Sequence, residues 1–165
     1  MRGTLVGLMA LFGSSGALAQ EMVGDPAKGE ELFAGQCGGC HIIQNEAGEI
    51  LAGSGRYGIR DLYGIAGRVP GSFPDLFYSK LMRSYGESGA VWEEANFVDY
   101  VLDPPGFLQQ TTGMGGPSAM KAWIHDEQQA HDVWAYLTSF APAEAEGAEG
   151  EDSAIAPADG ETASE

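Results

Sequence analysis

Cys37-Gly38-Gly39-Cys40-His41 brings two thiols and an imidazole into a single short run. Two thiols at this spacing can cycle between dithiol and disulfide, supply half of a zinc site, or form thioethers with the two vinyl groups of a haem. Positions i, i+3 and i+4 share one face of a helix, so Cys37, Cys40 and His41 can meet a single flat ligand together. The imidazole is then placed to bind the iron at its centre. C-x-x-C-H is the haem c attachment signature for this reason.

The surrounding chain selects among the three chemistries. A thioredoxin-like site sets its C-x-x-C beside a βαβ pattern, and the sequence shows none. A zinc site needs a fourth ligand at a recognisable spacing. Here there are two cysteines in all, and the remaining histidines, His125 and His131, are far away in sequence. One covalently attached haem c, with iron held by His41, is therefore the predicted cofactor.

The opposite face of that iron then requires a methionine, a second histidine or nothing. The candidates are Met114, Met120, His125, His131 and, more weakly, Met82. His131 falls inside a predicted helix and is expected at its surface, and His125 is expected at the start of that helix. Met120 is favoured over Met114 because it leaves the shorter link to the helix beginning near Asp126.

Several elements must position these groups. Asp25 suits an N-cap and Pro26 a first helical position, so a helix is predicted from Asp25 through Leu32 and Phe33 that is still running at Cys37. Residues 41–74 are glycine-rich with weak apolar periodicity, which predicts loops and no credible strand pair. A short helix is expected over 75–83 and a longer one over 92–102, the latter stopped by Pro104-Pro105. A glycine-rich loop follows over 111–123. The last helix is predicted over 126–140, with Val133, Tyr136, Leu137 and Phe140 on one buried face. The expected fold class is all-α, with loops that need the macrocycle as core because they cannot build one themselves.

Both ends of the 165-residue chain differ from its middle. Residues 1–19 combine Arg2, an apolar run and the small-residue pattern Ala17-Leu18-Ala19, which predicts a cleaved secretory signal and a periplasmic protein. Residues 141–165 contain eight acidic and no basic residues, which predicts a disordered acidic tail. Residues 20–140 form the predicted globular domain. Without the signal, 7 basic face 24 acidic residues, which makes nucleic acid and anionic lipid poor partners.

These residues resemble a class I c-type cytochrome, of the group containing mitochondrial cytochrome c and its relatives in photosynthetic bacteria. GDPAKGEELFAGQCGGCH is similar to the family's first helix and haem site, with Gly29 and Phe33 at the positions that pack on the last helix. DVWAYL (132–137) resembles that partner helix, Tyr136 supplying its aromatic. The likeness implies N- and C-terminal helices packed together, with loops wrapped around one haem. It also implies that Arg68, Tyr78 and Trp92 lie near the haem propionates and Tyr100 near the methionine sulfur. In two respects the sequence departs from the family. YGIRDLYG (57–64) lacks the usual proline whose neighbourhood orients the iron-bound histidine, a task that a carbonyl near Ile59 or Arg60 can perform. In place of a lysine ring, the globular part has only Lys28, Lys80 and Lys121.

The expected function is transport of single electrons between a donor complex and a terminal oxidase, reductase or photosynthetic centre. On this reading the protein is a monomer and not an enzyme, with redox protein partners and no small-molecule substrate. The alternative is a dedicated electron-accepting subunit of a periplasmic dehydrogenase, docked through its acidic surface or tail. A haem enzyme or gas sensor with an open sixth site is a weaker third.

Overall fold

The computed structural model describes residues 24–56, 60–74 and 76–140. The predicted signal (1–19) and acidic tail (141–165) lie outside the described residues.

Helix α1 (Pro26–Leu32) begins where the sequence places it. The Asp25 carboxylate accepts from the N–H groups of Ala27 and Lys28, and Pro26 occupies the first turn. The helix continues as a π-helical turn over Phe33–Cys37, closed by the Gly38 N–H donating to the Phe33 carbonyl at 2.7 Å. The Cys37 carbonyl then accepts from both Cys40 and His41 N–H, at 3.0 and 2.9 Å. This compact turn holds the three chemically active residues in one local unit.

The stretch predicted to contain only loops holds a hairpin. Strands β1 (Ile42–Gln44) and β2 (Ile50–Gly53) pair antiparallel, with Ile42 opposite Gly53, Ile43 opposite Ala52, and a register irregularity after Ile43. Ile42 and Ile43 are buried, which suits the β-branched pair. The turn is built by Asn45, whose side-chain oxygen accepts from Ala47 and Glu49 N–H, and by Gly48 at φ 81°.

Helix α2 (Lys80–Glu87) starts after Ser79, whose hydroxyl caps Met82 N–H, and so lies later than the expected 75–83. Asp75, the expected start, lies outside the described residues. Helix α3 (Glu94–Leu102) opens on a capping box between Glu93 and Asn96. The proline pair does stop α3, but it also begins a helix absent from the sequence reading. In α4 (Pro104–Thr112), Asp103 caps Gly106, and Gly113 ends the helix in the left-handed region. Helix α5 (Glu127–Thr138), capped by Asp126, agrees with the prediction to within its ends.

Helices α1 and α5 cross at a point with no room for a side chain. A Cβ on Gly29 would collide with the Asp132 carbonyl and come within 2.7 Å of the Tyr136 Cβ. One turn on, Phe33 packs its ring on Tyr136 with centroids 5.6 Å apart. Asp132 is buried at the crossing, where one carboxylate oxygen accepts from the Asp25 N–H at 2.8 Å and from the Gln128 amide at 2.9 Å. The two ends of the domain are thereby locked together.

Candidate haem site

Enclosed by these elements is a cavity of about 410 Å³. The attachment segment contributes Gln36, Cys37, Cys40 and His41 to its wall. The loops and helices beyond contribute Arg68, Tyr78, Trp92, Tyr100 and Met120, so all eight residues singled out for the site line one cavity. Much of the remainder is apolar, including Ile65, Phe97, Val101, Ile124 and Leu137. Of the other candidate ligands Met82 also reaches the wall, whereas Met114, His125 and His131 are not among its described lining residues. Instead of standing at the surface, His131 is largely buried, with its Nδ1 2.7 Å from a carboxylate oxygen of Glu94.

His41 is oriented from behind, its Nδ1 lying 3.2 Å from the Arg60 carbonyl oxygen. With Nδ1 as the donor, Nε2 is left as the metal-binding nitrogen. Burial holds its pKa below the ordinary histidine value, which favours the neutral, ligating form. Burial, reinforced by Cys40, pushes the Cys37 thiol up to about 11. That is the reverse of the activation a redox C-x-x-C requires. Among the described residues, no three His, Cys, Asp or Glu side chains gather as a metal cluster, so the zinc reading finds no ligand set.

The aromatic wall is continuous. Trp92 packs against Tyr85, Phe97 and Tyr100, with centroids 5.9, 6.4 and 5.1 Å away. Its backbone pairs with Gly67 and Arg68 through hydrogen bonds of 2.8 and 3.0 Å, which fixes that loop to the start of α3. The Arg68 guanidinium donates to the carbonyls of Asp61 and Tyr63 and lies 5.4 Å from the Phe73 ring centroid. Two of its five donors are thus used, leaving others for an anion. Tyr78 is half-buried, with its pKa raised by desolvation.

Two features escaped the sequence reading. Ser118 accepts from the Met120 N–H at 3.1 Å, and its side chain favours the ionised form of Tyr100 against the effect of burial. Gln36 lines the cavity with a buried side-chain oxygen that finds no donor among the described residues. An apolar cavity with thiols and imidazole on one side, a thioether on the wall and unused polar groups fits a haem. No spacing rule would have found Ser118 or Gln36, because neither belongs to a periodic pattern.

N- and C-terminal helices packed together beside an apolar cavity lined by a C-x-x-C-H turn define the class I c-type cytochromes. The cytochrome c family pattern matches residues 26–141, and the chain belongs to that family. It is 42% identical over 123 residues to cytochrome c2 of Fuscovulum blasticum, covering 74% of this chain and 77% of that one. With cytochrome c-551 of Roseobacter denitrificans it shares 39% over 139 residues, covering 84% and 96%. Among solved structures, cytochrome c2 from Rhodobacter sphaeroides matches with a TM-score of 0.66 at 37% identity, covering 70% of this chain and 95% of that one. The protein is accordingly a mono-haem electron carrier with one covalently attached haem c.

Proposed function

We propose that this protein is a soluble monomer exported to the periplasm, where it shuttles single electrons between a donor complex and an oxidase, reductase or photosynthetic centre. The bound haem supplies a reversible one-electron couple at its iron. The chain's residues do the rest. Cys37 and Cys40 anchor the group, and His41 ligates from a ring held by the Arg60 carbonyl. Met120 is the second ligand, on a backbone tied to Ser118. Arg68, Tyr78 and Trp92 hold the propionate edge and Tyr100 flanks the thioether, while the apolar wall keeps water away.

One observation carries this reading: a single cavity collects the thiols, the histidine and one of the two loop methionines, Met120 rather than Met114. A thioether opposite imidazole raises the potential and closes the iron to small ligands. Redox titration of the purified protein should therefore show one reversible one-electron wave. Carbon monoxide should fail to bind the resting ferrous form, and full occupancy by it would overturn the reading.

A dedicated dehydrogenase subunit is the second reading, favoured by the net charge of −16 on the whole chain. Removing residues 141–165 should then slow reduction by that one partner, most strongly at low salt. An unchanged rate would leave the general carrier.

A further inference from the structure

Arg60 stands where the family's proline-containing loop is altered, and its backbone is pinned. Its carbonyl accepts from His41 Nδ1 and from Ile42 N–H, both at 3.2 Å. From that anchored point Arg60 enters the lining of the same cavity as Arg68.

The two arginines are held differently. The Arg68 guanidinium is tied to the Asp61 and Tyr63 carbonyls. Among the described residues, the Arg60 guanidinium has neither a carboxylate in ion-pair reach nor a side-chain hydrogen bond. Asp61, the one carboxylate on the described cavity wall, accepts from Gln44 and Tyr63 N–H instead. Arg60 shares the cavity lining with Tyr78 and Tyr100, and its charge favours the ionised forms of both. An unpaired guanidinium on a cavity wall is free to take an anion, and its planar fork suits a carboxylate.

We propose that Arg60 is a second carboxylate-binding residue of the haem cavity: its guanidinium hydrogen-bonds a haem propionate on the side that Arg68 does not serve. The inference rests on the haem reading and extends it. One residue then does two jobs, its carbonyl orienting the histidine and its side chain neutralising the macrocycle's acid. A fixed cation near the iron disfavours the ferric state and so raises the reduction potential.

Arg60→Gln removes the charge while keeping the carbonyl. The alkaline pyridine spectrum of the purified variant is read first. Failure to find thioether-bound haem in the wild type would refute the haem reading itself, whereas haem present in both forms isolates Arg60. At fixed ambient potential the variant should shift roughly three- to tenfold toward the ferric form, about 59 mV of midpoint per tenfold. The shift should persist in about 1 M salt, where exposed charges are screened, and Arg60→Lys should recover part of it. A midpoint unchanged within about twofold, or a shift abolished by salt, would overturn the proposal. Should the variant fail to mature, the ferrous wild type decides by NMR. Arg60 guanidinium protons should show cross-peaks to the propionate methylenes, and their absence would count against it.

Discussion

Ser118 acts on two other residues of the cavity wall, accepting from the Met120 N–H while its side chain eases ionisation of the Tyr100 phenol. The loop methionine is thereby positioned by its own backbone as well as by packing. Met120→Ala should lower the potential and open the iron to carbon monoxide, while Met114→Ala should do neither; spectra of the two variants under carbon monoxide check this. Tyr100 adds a dependence on pH. Burial pushes its pKa up to about 12 from an ordinary value of 10. The unfolded chain therefore releases this proton first, so the contribution of the neutral phenol is complete below pH 10 and is lost as pH rises toward 12. Tyr100→Phe should weaken that alkaline loss by ~2–3 kcal/mol, read from denaturant titrations at several pH values. Cys37, Cys40 and His41 were legible because attaching one flat ligand imposes a fixed spacing. The Arg60 carbonyl was foreseen as an acceptor, but its side chain was not, since an aperiodic loop gives no facing.

At the scale of elements, the crossing of α1 and α5 depends on one missing side chain. Gly29→Ala should cost ~1–3 kcal/mol, toward the upper end because backbone rather than a flexible side chain blocks the way. Denaturant melts followed by the haem absorption would measure it. Both terminal helices could be read from the sequence because caps and apolar spacing agreed. The hairpin was missed because glycines on either side hid an Ile42-Ile43 pair and an asparagine turn, both local signals that were present. Helix α4 was missed for a different reason. Pro104 and Pro105 were read only as a stop, yet proline is as much at home in a first turn as beyond a last one.

For the molecule as a whole, the cavity at its centre means that the protein alone is an incomplete core. The Cys37→Ser/Cys40→Ser double variant, unable to attach the group, should lose most of its helical circular dichroism; a cooperatively folded, native-like form without haem would show the apolar wall to be self-sufficient. Among the described residues, no helix is long and apolar enough to cross a membrane. The cofactor was readable from the sequence, whereas the shape of its chamber was not, because loops take their course from what they enclose.

The junction of α1 with α5 also bears on the order of events during synthesis. Among the described helices, the one that closes over Gly29 is made last, and Phe33, seated on Tyr136, leads directly into the Cys37 turn. A growing polypeptide cannot shut this door behind itself. The thiol-bearing segment therefore remains open to whatever machinery loads it until α5 has been made.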